Sequence, residues 1–186
     1  MAQKGFSLRD LAVIGVLAAL ARALGIMTVF ALGGMNPVSL TIRALLITSI
    51  FIVLRIKVQR FGTLVLATLV GSLAAFLVMA QGILTLPFML LAALLAEYFI
   101  TYVGQNRAWA IIVGTAAMSL LDKMASLTLM YLMSRENPRM LWPILLMVAI
   151  SSLGDIIAIF VAPRFLKELR HAGFISSAPN NNLMPN

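Results

Sequence analysis

The chain has no cysteine, a single histidine and six acidic residues among 186, and only 11% of its residues are charged. Without cysteine there can be no disulfide, no thiolate metal site and no thiol nucleophile, and redox chemistry says nothing about the compartment. The one histidine, His171, lies near the C-terminal end, so no span contains a histidine for metal binding or proton transfer. There is no Gly-x-x-x-x-Gly-Lys-Ser/Thr loop to cradle nucleotide phosphates, and His-Glu-x-x-His and Gly-x-Ser-x-Gly are missing as well.

What the chain has in excess is apolar surface. Hydrophobic residues make up 62% of it and the mean hydropathy is +1.03, whereas in a soluble globular domain about a quarter of residues are charged. No water-soluble fold of this size could hide that much apolar surface. The net charge of +8 does not point to nucleic acid, because the basic residues cluster between apolar runs, as they do in membrane proteins.

Six runs are long enough to cross a bilayer: Leu8–Leu32, Val38–Leu54, Phe61–Ala80, about Leu84–Val103, Ala108–Met133 and Leu141–Phe165. The first continues apolar well past Ala19-Leu20-Ala21, which marks a retained span rather than a cleaved signal peptide. Gly33-Gly34-Met35-Asn36-Pro37 breaks the chain after it. The expected fold is therefore all-α, a compact bundle of six transmembrane helices in one domain, residues 1–175. The segment 176–186, rich in Asn, Pro and Ser, is expected to be disordered.

Six spans put both termini on one side. That side holds Lys4, Arg9, Arg55, Lys57, Arg60, Arg107, Arg164, Lys167 and Arg170, against Arg135 and Arg139 on the other. The positive-inside rule then places both termini in the cytoplasm of a multi-pass cell-membrane protein.

Three bases, Arg22, Arg43 and Lys123, and three acids, Glu97, Asp122 and Asp155, lie at membrane depth. Each costs about 2.5–3.5 kcal/mol at a helix centre, so they must face the bundle interior or a wet cavity. Adjacent Asp122 and Lys123 point about 100° apart and need separate partners. Glu97 and Asp155 fall in the inner half, and the other four in the middle or outer half. Polar neighbours extend these positions along helical faces: Thr115, Ser119 and Ser126 beside Asp122, Asn36 and Ser39 beside Arg43, and Ser151 beside Asp155. Two readings follow, an outward-opening polar pocket and a set of structural ion pairs. In the first span Ala12, Gly15, Ala19 and Ala23 recur at four-residue spacing, letting another helix approach closely, either from a partner or from the same chain.

The span pattern, the opening FSLRDLAVIGVLAALARALG, the Gly-Gly-Met-Asn-Pro break and the segment QGILTLPFMLLAALLAEYFI together resemble the substrate-binding S components of energy-coupling factor (ECF) transporters over residues 6 to 170. Met1-Ala2-Gln3 lacks the N-terminal histidine of the nickel and cobalt type. The resemblance implies capture of a vitamin or similar small molecule from outside, with a transmembrane coupling protein and two cytoplasmic ATPases as partners. It implies Gly15, Ala19 and Ala23 as partner-facing positions and places the ligand near Asn36, Gln81, Asp122, Lys123, Asn137 and Trp142. Arg43 joins this set from its charge and depth. No cofactor, metal or catalytic residue is expected. The competing classes are a stand-alone ion- or proton-coupled carrier, with Glu97 or Asp155 as relay groups, and an intramembrane enzyme built on an acid pair such as Asp122 with Asp155.

Overall fold

A computed structural model of the chain describes residues 5–34, 36–79, 85–104, 107–133, 139 and 141–171. The segment 176–186, Gln81 and Asn137 lie outside the described residues. Among the described residues there are six helices and no strand: α1 (Leu8–Ala31), α2 (Pro37–Lys57), α3 (Thr63–Met79), α4 (Leu86–Val103), α5 (Ala108–Met133) and α6 (Leu141–His171). Five of these are long and apolar enough to cross a membrane. The remaining one, α3, has 17 residues, about 26 Å of helix and the short end of what spans a bilayer.

Local signals account for where the helices begin. Ser7 caps α1 through a capping box with Asp10, each side chain accepting from the other residue's backbone N–H at 3.1 Å. Gly33 and Gly34 then take φ of 76° and 104°, a left-handed conformation that residues with a Cβ rarely adopt. This turns the chain directly into α2. Asn36 caps α2 by accepting from Ser39 N at 2.8 Å, and Pro37 occupies its first turn, where a missing N–H costs nothing.

Three helices differ in extent from the sequence reading. The second helix runs on to Lys57, so Arg55 belongs to it rather than to a loop. The sixth continues through Pro163 to His171, six residues past the expected end at Phe165. The third is shorter than expected because Gly62, at φ 92°, turns the chain just before it.

The packing order is a ring with one helix outside it. Helix α1 packs on α2 and α3, α3 on α4, α4 on α5, and α5 back on α2, while α6 lies against α2 and α5. Packing between membrane helices depends on close approach, and two glycines provide it. A Cβ on Gly154 would sit 2.3 Å from the Thr41 carbonyl oxygen, and one on Gly114 would sit 2.6 Å from Ile100 Cγ1. These contacts seat α6 on α2 and α5 on α4. Apolar side chains fill the end of the ring nearer the termini, where Ile14, Leu54, Leu64, Ile100 and Ile111 are fully buried.

Candidate functional site

Three groups of charges lie inside the bundle. The first closes the filled end of the ring: Arg55 of α2 and Glu97 of α4 face each other at 3.2 Å with no exposure on either side chain. Glu97 also accepts from Leu64 N at 2.7 Å, and Arg55 donates to Val58 O at 3.2 Å. Glu97, an inner-half acid without an assigned partner in the sequence reading, is thus answered by a base counted there among the loop residues. Its depth was the available clue, since an inner-half acid calls for a base within reach on a neighbouring helix.

A second group lies at the junction of α2, α5 and α6. Lys123 is salt-bridged to Asp155 and donates to Ser151 O at 2.8 Å. Asp155, fully buried, accepts from Thr48 at 2.7 Å and from Ser119 at 2.9 Å. Three side chains from two helices, α2 and α5, therefore satisfy one carboxylate on α6. Lys123 is consumed by this network and faces α6. This differs from the placement of Lys123 beside Asp122 in a ligand pocket, and the separate directions of the adjacent pair are the reason.

The third group has more bases than acids, whereas the first is balanced in charge although Arg55 Nε and Nη2 and Glu97 Oε2 also have no hydrogen-bond partner. Asp122, one residue before Lys123, lies within electrostatic reach of Arg22 on α1 and Arg43 on α2. Arg43 crosses to α1, where its Nε lies 3.4 Å from a Cβ built on Gly25. Arg22 crosses to α3, its Nε lying 3.1 Å from a Cβ built on Gly71. The glycines leave room for both arginine side chains against the neighbouring helices. Arg22 Nε and Asp122 Oδ1 are buried without a hydrogen-bond partner. Arg22 sits nine residues from the end of α1 and Arg43 six residues into α2, about 14 Å and 9 Å from the bundle end remote from the termini. Two cations thus meet one anion at similar depth, and an unmet donor and acceptor remain among them.

The other sequence candidates are placed as follows. Asn36 is half-buried and committed to structure, capping α2 and donating to Leu32 O at 2.6 Å. Trp142 is 76% exposed in the first turn of α6. Ala19 and Ala23 are exposed, and a Cβ on Gly15 would meet nothing within 4 Å. This outward direction overturns the same-chain packing reading of the stripe. In contrast Ala92 and Ala96, which repeat the spacing in α4, are buried at helix contacts. Arg22, absent from the expected ligand set, lies in the same cluster as Arg43 and Asp122; its depth in the first span was the available signal.

Ion pairing also bears on the alternatives. Glu97 and Asp155, the candidate proton relays, are both fully buried and each faces a base. Asp155 is held by Lys123, Thr48 and Ser119 rather than shared with Asp122. Among the described residues no cluster of three or more His, Cys, Asp or Glu could hold a metal ion.

No curated protein and no solved structure matches the chain. Residues 8–141 do match one family model, and with most of its length covered the chain belongs to that family, described as a hypothetical bacterial integral membrane protein family (Trep_Strep).

Proposed function

We propose that this membrane protein is the substrate-capture subunit, or S component, of an ECF-type importer. It binds a small anionic or strongly polar micronutrient of the vitamin class in the half of the bundle remote from its termini. One observation carries this reading. Of three interior charge groups, two pair one base with one acid, whereas Arg22 and Arg43 face the single acid Asp122 and leave an excess positive charge. Unmatched charge at membrane depth is costly and characteristically marks a ligand or ion path. A ligand anion would answer the two guanidinium groups, and a donor on the same ligand would answer Asp122.

The ECF resemblance supports the rest of the assignment. Lacking a phosphate loop, the chain takes its energy from a transmembrane coupling protein and two cytoplasmic ATPases, and is not itself an enzyme. The exposed stripe of Gly15, Ala19 and Ala23 offers the coupling protein a face on which a helix can approach closely. The bias of basic residues toward the side of the bundle that carries the termini supports cytoplasmic termini even with Arg55 removed from the count.

The test is mass spectrometry of small molecules retained after gentle purification, paired with recovery of a coupling protein and ATPases. A retained anionic ligand that Arg43→Gln releases, together with that module, supports the assignment. A folded Arg43→Gln variant with unchanged retention, and no co-purifying ATPases, would return the three residues to structural pairing.

A further inference from the structure

Among the described residues, four bases and three acids lie inside the bundle, so its interior is one negative charge short of neutral. Arg55 with Glu97 and Lys123 with Asp155 form two neutral pairs. Neither base is spare, because Arg55 is fully buried against its acid and Lys123 also donates to Ser151 O at 2.8 Å. The whole excess therefore falls on Arg22, Arg43 and Asp122. These three side chains are half-buried rather than sealed, so a small molecule can reach them. Charge is the term that matters most at this depth, since an unanswered charge at a helix centre costs roughly a hundredfold in an equilibrium constant.

We propose that the ligand of this site is a monocarboxylate that carries a neutral hydrogen-bond donor, an N–H or O–H, close to its carboxylate. The proposal rests on the reading of Arg22, Arg43 and Asp122 as the ligand site, and it fixes the charge of what binds there. One negative charge cancels the excess. A second, as in a phosphate monoester or a dicarboxylate, would find no cation left for it among the described interior residues. An ammonium beside the carboxylate, as in an amino acid, would return the excess to the site. A neutral donor avoids this and still meets Asp122 Oδ1, which is buried without a partner. The two oxygens of a planar carboxylate suit the parallel N–H donors of a guanidinium group. Asp122 thus determines specificity, by limiting two arginines to one negative charge.

Three probes of similar size separate the charges: lactate, with one negative charge and a hydroxyl; alanine, with an ammonium in place of that hydroxyl; and malonate, with two carboxylates. Binding to the full chain in detergent is read from the melting temperature as each probe is titrated at constant ionic strength. The wild type should bind lactate about tenfold or more tightly than either alanine or malonate. Asp122→Asn leaves two cations unanswered and should move the preference to malonate. Arg22→Gln leaves one cation beside one acid and should move it to alanine. Arg22→Gln with Arg43→Gln should bind none of the three. If Asp122→Asn does not fold, Arg22→Gln decides. A wild-type preference for alanine or malonate, or a preference for lactate that persists in the folded variants, overturns the charge assignment and leaves the ligand site standing. Binding of no probe by any of these proteins overturns both. Glu136, an acid of the connection between α5 and α6, lies outside the described residues. Lactate binding that appears only in Glu136→Gln would mean that the chain supplies the missing anion itself, which also overturns the proposal.

Discussion

Arg55 and Glu97 face each other at 3.2 Å with both side chains fully buried, joining α2 to α4 at the end of the ring that apolar side chains fill. A pair so placed need not add net stability, because taking both charges out of water offsets their attraction. Breaking it is another matter, since the remaining charge has no solvent to turn to. Arg55→Leu should cost about 3–5 kcal/mol if soluble proteins are a guide, whereas Arg55→Leu with Glu97→Leu should recover most of that loss. Thermal unfolding of the single and double variants in one detergent checks this; a double variant no better than the single would mean the pair contributes more than mutual neutralisation.

The two remaining charge groups should behave in opposite ways. Lys123→Ala strips Asp155 of its counter-charge and should lower stability by about 3–5 kcal/mol, with any loss of ligand secondary to it. Arg43→Gln relieves an excess of positive charge, so stability should hold. Affinity for an anionic ligand should instead fall on the order of tenfold or more, because a hydrogen bond to a charged group contributes roughly 1.5–3 kcal/mol. Measuring ligand affinity and melting temperature for both variants separates the assignments. A destabilised Arg43→Gln with unchanged affinity would make the three-residue cluster structural.

Much of this architecture is legible in the sequence because the bilayer imposes requirements that composition expresses directly. Span number follows from apolar length, and the capping residues Ser7 and Asn36 mark helix starts in the local chain. The depth of each interior charge is likewise readable from its distance to the nearest polar break. Partner choice is not, because it depends on how each helix is rotated and on which helices are neighbours, and neither is encoded in a single span's pattern. Arg55 lies two residues from the end of α2 and reads as a loop base until α4 is brought beside it. Lys123 reads as a pocket cation until α6 presents Asp155. The small-residue spacing in α1 and α4 is similar, yet one stripe is exposed and the other buried.

Glycines divide in the same manner, and their substitution should expose it. Gly154→Ala places a methyl group 2.3 Å from the Thr41 carbonyl oxygen, a backbone atom that cannot rotate away, so α6 must move off α2. A loss of about 1–3 kcal/mol is expected, the usual cost of overpacking. Gly15→Ala meets open space and replaces the poorer helix former, so stability should be unchanged or rise by up to about 1 kcal/mol. Equal melting temperatures for the two variants would contradict the close approach of α6 to α2.

The last prediction concerns whether the exposed stripe on α1 receives a partner. Ala19 points out of the bundle, so a bulky side chain there does not overpack the chain's own core, and the isolated Ala19→Trp protein should keep its melting temperature. Of the proposed ligand residues, Arg22 lies against Gly71 of α3 and Arg43 against Gly25 of α1, and Asp122 is carried by α5, so none rests on the Gly15, Ala19 and Ala23 face and affinity for the proposed ligand should persist too. A coupling helix that approaches closely over Gly15, Ala19 and Ala23 would be pushed away by the indole, because packing rather than hydrophobic burial drives association in lipid. Recovery of the partner complex and substrate uptake should therefore be lost while folding and binding survive. The comparison is melting temperature and ligand affinity of isolated Ala19→Trp beside its yield in the complex. Full complex yield would remove the stripe from the interface, and a joint fall in all three quantities would place Ala19 inside a contact within the chain, contrary to its exposure.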